Sequence, residues 1–391
     1  MTFSVRTAQH DEPNELTRAV KLAGAALLDL TVGNPTAAGI PYAKDEILAA
    51  LADPRGILYE PESLGLRAAR EAVARDWSAR GTPIDAARIA LTASTSEAYA
   101  VLFKLLCDPG DEVLVPAPSY PLLGFLAAFE SVTLRPYPLV YAGGWHVDVD
   151  ALKRAVGPRT KAIVVVTPNN PTGSYLGAHE LEAMLDLGLP IVSDEVFATY
   201  PLGDLPEGRI TSVATATRGL AFALSGLSKL AALPQMKLGW IGVAGERALT
   251  DGAMKRLELV LDAYLSVATP VQHALPTLLA TRSVAEGAIR ARTRTNLAVL
   301  HSAMKSAPTA SVLDVEGGWY AIVRVPEVRS DEEWALDLVT HDRVHVQPGF
   351  FFDMGRGAHL VVSLLTPEAT FAEGVARIAA RIAHVGSTGE G

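Results

Sequence analysis

A chain of 391 residues, 49% hydrophobic and 20% charged, is long enough to bury two sizeable cores and too apolar to be disordered. Its net charge of -9 comes without a basic stripe, which argues against nucleic acid as a main partner, and no apolar run approaches the roughly 20 residues of a membrane span. The single cysteine, Cys107, cannot form an internal disulfide and suits a reducing cytosol. The N-terminus lacks the basic start and apolar core of a signal peptide, and no zinc-type Cys/His spacing, Walker loop or GxGxxG fingerprint occurs, so no metal is expected.

Along the chain, the first 45 residues show no alternation of strand and helix patterns. From about residue 88 the alternation is regular. "RIALT" (88–92) precedes the helical "TSEAYAVLFKLL", "DEVLVP" (111–116) precedes "YPLLGFLAAF", and "AIVVVT" (162–167) precedes "GAHELEAMLDLG". "PIVSDEV" (190–196), "LAFALS" (220–225) and "KLGWIGVAG" (237–245) continue the strands. Strands apolar nearly throughout are buried on both faces, as in a mostly parallel sheet with helices on either side, a three-layer α/β architecture. A long helical pattern from about 246 to 306 is expected to break at Pro270 and Pro276. "GGWYAIVRVP" (317–326), "RVHVQPG" and "AHLVVSLL" (358–365) then read as strands, "DEEWALDLVT" and "TFAEGVARIAARIAHV" as helices, and "GSTGEG" as a loose tail. The pattern divides into a large unit, 46–285, and a smaller α+β unit made of 1–45 and 286–391.

In such sheets ligands bind beyond the carboxyl ends of the strands, so the following loops carry the chemistry. After "RIALT" stand Ser94, Thr95 and Ser96 at a helix start: an ordinary N-cap, or an anion cradle suited to phosphate. Tyr120 follows the second strand, either packing or stacking on a planar ring. "PNNPTG" (168–173) is a tight turn that can also hold the Asn170 amide against a ligand. Asp194 ends an apolar strand, where a carboxylate needs a cationic or hydrogen-bonding partner. Lys229, and Lys237 eight residues on, sit in a buried-looking segment without an acidic neighbour, in a chain with nine lysines against twenty-five arginines. Together these groups fit one ligand, a phosphorylated, cationic aromatic aldehyde: pyridoxal 5′-phosphate, which lysine binds as a Schiff base and an acid holds at the ring nitrogen.

With "YEPESLGLRAAREAVA" (59–74), "STSEA", "NPTG" and "SGLSK" in this order, the chain resembles the fold-type-I aminotransferases of class I/II, the aspartate aminotransferase superfamily, over nearly its whole length. The resemblance implies a homodimer in which Tyr59 reaches the neighbouring subunit's phosphate. It implies Ser94, Thr95, Ser96 and Ser225 at the cofactor, Tyr120 on its ring and Asn170 at the ring hydroxyl. It also implies Asp194 at the pyridine nitrogen, Lys229 as Schiff-base lysine and Gly33 at the substrate. Three positions depart from the family. Lys237 replaces an arginine at the phosphate, keeping the charge without the bidentate fork; a strand-start lysine reaching solvent is the other reading. Phe197 replaces a tyrosine beside the ring hydroxyl, which leaves Asn170 as the side-chain donor there. Val361 stands where the substrate-carboxylate arginine is usual, with Arg324 and Arg356 as the candidate replacements; Arg324 also reads as a strand-end residue in solvent. The implied reaction is ping-pong transfer of an amino group from an amino acid to a 2-oxo acid, with Lys229 shuttling the proton. A lyase or decarboxylase on the same fold is the alternative, because a fold alone does not fix the reaction.

Overall fold

The computed structural model describes residues 2–7, 14–24 and 27–388. Eight strands form the large sheet: β1 (Ile89–Thr92), β2 (Glu112–Ala117), β3 (Thr133–Tyr141), β4 (Trp145–Val147), β5 (Thr160–Val166), β6 (Ile191–Asp194), β7 (Leu220–Gly226) and β8 (Gly239–Gly245). Their spatial order is β1-β8-β7-β6-β5-β2-β3-β4. The pairings from β3 through β2, β5 and β6 to β7 are parallel, whereas β8 runs antiparallel to both β7 and β1, and β4 antiparallel to β3.

The period-two alternation of side chains builds a core on each face. Ala90, Val113, Val164, Phe222 and Ile241 pack under helices Thr95–Leu106 and Arg247–Tyr264. Leu91, Leu114, Ile163, Ala223 and Trp240 face helices Arg67–Ala79, Ala178–Leu185 and Thr269–Thr281. The sheet is thus covered by helices on both sides.

A second core belongs to an antiparallel sheet of β9 (Ser311–Val312), β10 (Tyr320–Val325), β11 (Gln347–Pro348) and β12 (Ala358–Ser363), in the order β9-β10-β12-β11. Helices Ser283–Met304 and Glu368–Thr388 lie against it. The N-terminal region joins this core through helix Glu15–Ala23, which contributes Leu16, and through Leu28–Asp29, paired in parallel with Val344–His345.

Four expectations are corrected. Strands β3 and β4 went unread because Pro136 and Pro138 interrupt "TLRPYPLVY"; β3 tolerates them beside the sheet edge, where it is half exposed. Pro276 does not break a helix. It sits on the exposed side of Thr269–Thr281, which is held by burial of Val271, Ala274, Leu275 and Leu278; Pro270 does open that helix. "RVHVQPG" splits into two short strands in different sheets. The closing helix runs on to Thr388, so part of the expected loose tail is helical; 389–391 lie outside the described residues. No described helix is long and apolar enough to cross a membrane.

Candidate active site

The strands β1, β2, β5, β6 and β7 all point the same way, so the segments after them meet along one rim of the sheet. Antiparallel β8 begins where the others end, with Gly239 opposite both Gly226 and Thr92, and this brings Lys237 to the same rim. Between this rim and β10 lies a cavity of about 460 Å³. Ser94, Thr95, Ser96, Tyr120, Asn170 and Asp194 line it, as do Phe197, Lys229, Lys237 and Gly33.

At one end stands the N-terminus of helix Thr95–Leu106. Ser94 is indeed its N-cap, its hydroxyl accepting the Glu97 N–H at 3.1 Å. The two readings of this segment are therefore compatible: the cap uses one N–H, and those of Thr95 and Ser96, without partners inside a helix, remain as donors with the positive end of the helix dipole. A Cβ on Gly239 would lie 3.1 Å from the Ser94 carbonyl carbon and 3.2 Å from the Thr95 nitrogen. Glycine there lets the helix start sit directly on the strand. Lys237 adds charge to this end from a left-handed backbone, φ 49°, after the 3-10 turn Pro234–Met236.

Asp194 lies at the floor. Its carboxylate accepts the Val196 N–H at 3.2 Å and the Tyr99 hydroxyl at 3.3 Å. Burial pushes its pKa up to about 6, against these hydrogen bonds and the charge of Lys229. Burial in turn lowers the pKa of Lys229, with Asp194 opposing. The Lys229 ammonium lies 5.5 Å from the centroid of the Trp319 ring and 6.0 Å from that of Phe197. Its backbone is fixed by Tyr200, whose hydroxyl donates to the Lys229 carbonyl at 2.7 Å. Asn170 is buried on the wall, and its Oδ1 has no hydrogen-bond partner among the described residues.

Three residues expected on this chain's own wall stand elsewhere, whereas Tyr59 was expected at a partner's cavity. Ser225 is buried but off the wall: alternation along β7 turns it to the face of Ala223, and Ser228, on the turn Leu227–Leu230, lines the cavity instead. Arg324 shares a face with Tyr320, as alternation requires, but is exposed near the far end of β10, where it donates to the Ser311 hydroxyl at 3.3 Å. Arg356 is exposed on its loop. Neither arginine lines the cavity, so neither replaces the cation missing at Val361 from this chain's wall. Tyr59 is 70% exposed on the surface and away from its own chain's cavity.

Tyr99, Ser228, Tyr200, Trp319 and Tyr320 were not singled out in the sequence. Tyr99 falls four residues after Thr95, one helical turn on and so on the same face, which is the one signal that reveals it. Tyr320 is brought in by tertiary packing alone.

The fold is a known one. It superposes on an aminotransferase from Escherichia coli with a TM-score of 0.84, covering 98% of each chain at 24% identity. The chain belongs to the aminotransferase class I and II family, whose model matches residues 25–378. It is 29% identical over 353 residues to alanine aminotransferase from Mycobacterium tuberculosis, covering 86% of this chain and 81% of that one. To human tyrosine aminotransferase it is 26% identical over 372 residues, covering 90% and 80%. The protein is an aminotransferase, and the lyase or decarboxylase alternative is not favoured. Its family works with pyridoxal 5′-phosphate. The residues present fit that group: a helix N-terminus and Lys237 for an anion, the unpartnered Oδ1 of Asn170 for a ring hydroxyl, a buried carboxylate for a ring cation and an amine, Lys229, for an aldehyde.

Proposed function

We propose that this aminotransferase holds pyridoxal 5′-phosphate through Lys229 and moves an amino group from an amino acid to a 2-oxo acid in ping-pong order, as a homodimer. The observation that carries the reading is the convergence of Lys229, Asp194 and the N-terminus of Thr95–Leu106 on one cavity. When bound, the cofactor supplies an aldehyde that condenses with amines and a ring that takes up the electron pair left at the substrate Cα.

The chain's own groups do the rest. The N–H groups of Thr95 and Ser96, the nearby hydroxyls and Lys237 bind the phosphate. Asp194, held by Tyr99 and Val196, keeps its charge toward the ring nitrogen, and Asn170 orients the ring. The Nζ of Lys229, already eased toward its neutral form by burial, takes the proton from the substrate Cα as general base and, as general acid, would deliver it to the carbon that the cofactor's aldehyde supplies. Phe197 and Trp319 keep water from this amine.

The dimer reading rests on the loop at Tyr59. Ile57 and Leu58 beside it are 88% and 54% exposed, an apolar stretch suited to a partner's surface, and closed two-fold pairing is the commonest assembly. A two-substrate assay tests the function: amino acid alone is expected to shift the bound cofactor's absorbance once, and added 2-oxo acid to shift it back. Release of ammonia or carbon dioxide without an acceptor would overturn it. Sedimentation at assay concentration is expected to show a dimer.

A further inference from the structure

Among the described residues, the cavity wall carries three charged side chains, Asp194, Lys229 and Lys237. On the reading above, on which this inference rests, Asp194 and Lys237 serve the cofactor and Lys229 serves the cofactor and the proton at Cα. Among the described residues that line the cavity, no further charge then faces the substrate's side chain, and no guanidinium faces its carboxylate.

What the wall offers the substrate is of another kind. Leu122, Leu123 and Leu126, on helix Leu122–Phe129, form an apolar stretch of it. At the start of β10, Tyr320 lines the cavity, and its hydroxyl is hydrogen-bonded to no described residue. Its ring stands edge-on to Phe197, 6.4 Å between centroids, next to the ring that neighbours the Lys229 amine. A Cβ on Gly33 would lie 2.9 Å from that hydroxyl, so glycine keeps the space around it open. Behind Tyr320 the space is dry: Val361 faces Ile322 across the strand pair and packs with Leu313 and Phe352. Burial and the neighbouring Tyr120 push the Tyr320 pKa up to about 12, which keeps it a neutral donor through the physiological range.

We infer that the amino substrate carries an uncharged, apolar side chain, and that the Tyr320 hydroxyl, in place of an arginine, receives its carboxylate. A charged side chain in this cavity would give up its hydration and find no partner. The carboxylate, at the mouth of the same space, accepts one phenol hydrogen bond beside the Gly33 backbone.

The test uses the full-length protein loaded with cofactor and follows the cofactor's absorbance. L-leucine and L-phenylalanine are expected to react with kcat/KM at least about tenfold above L-aspartate and L-lysine. Tyr320→Phe is expected to raise KM for L-leucine and 4-methyl-2-oxopentanoate by about tenfold or more, with the resting spectrum unchanged. The same variant should leave KM for 3-methylbutylamine, which lacks the carboxylate, within about twofold, a split that a merely structural role would not produce. A preference for charged side chains, as from a residue reaching in from the second subunit, would overturn the substrate class. Equal effects of Tyr320→Phe on acid and amine, or none on either, would overturn the role of Tyr320. If no amino acid changed the wild-type absorbance, the proposed function itself would fall.

Discussion

At one end of the cavity Lys237, Asp194, Lys229 and the start of helix Thr95–Leu106 bring charge and oriented N–H groups to a single rim. At the other end Tyr320, Gly33 and the leucines of Leu122–Phe129 bring one hydroxyl, an open backbone and apolar surface. The first end comes from successive loops of one sheet. The second is assembled from segments nearly 290 positions apart in the chain, Gly33 and Tyr320. The contrast teaches that the tightly held group and the exchanged substrate are met by different physics: charge fixes the one, shape and neutral donors sort the other.

The sharpest way to break the comparison is at Lys229. Lys229→Ala should cut turnover by a factor on the order of 10³ or more, since it removes the proton carrier, while the protein still folds. Stopped-flow assays with circular dichroism check both. Asp194→Asn comes next: it keeps the shape and removes the charge opposite the ring nitrogen, and kcat should fall on the order of 100-fold with KM for amino acid little changed. A variant with normal kcat would remove Asp194 from the charged end.

Lys237→Ala should weaken cofactor retention by about 2 kcal/mol, roughly thirtyfold in Kd, as expected for one charge-assisted hydrogen bond. Lys237→Arg should retain it as well or better; equilibrium dialysis measures both. The last effect is on stability. Burial holds the Asp194 carboxyl at about 6 in place of its ordinary 3.8. The neutral acid is the form the fold prefers, so this group's contribution is complete below pH 3.8 and is lost as the pH rises through 6. Between those values the cofactor-free wild type should lose about 2 kcal/mol relative to Asp194→Asn. Urea unfolding of both at a series of pH values tests the sign, and parallel curves would contradict it.

How far the sequence is readable follows the same divide. Strands buried on both faces announce themselves as apolar runs, and the strands that carry the site after their ends, β1, β2, β5, β6 and β7, were visible for that reason. β3, half exposed and carrying two prolines, was not. Asp194 and Lys229 stood out because a charge inside an apolar run has no bland explanation. Tyr320 opens a core strand and Trp319 precedes it, and nothing local distinguishes aromatic residues that face a cavity from those that fill a core. Arg324 misled for a related reason: alternation assigned its face correctly, but its distance along β10 decides, and that end of the strand meets solvent rather than the cavity.

Covalent trapping shows whether Lys229 is the amine that holds the cofactor. The full-length protein is incubated with pyridoxal phosphate, reduced with borohydride, digested and mapped by mass spectrometry. A stoichiometric label on Lys229, absent from Lys229→Ala, is the predicted result. A label on Lys237 or on any other lysine, with Lys229 unmodified, would contradict it.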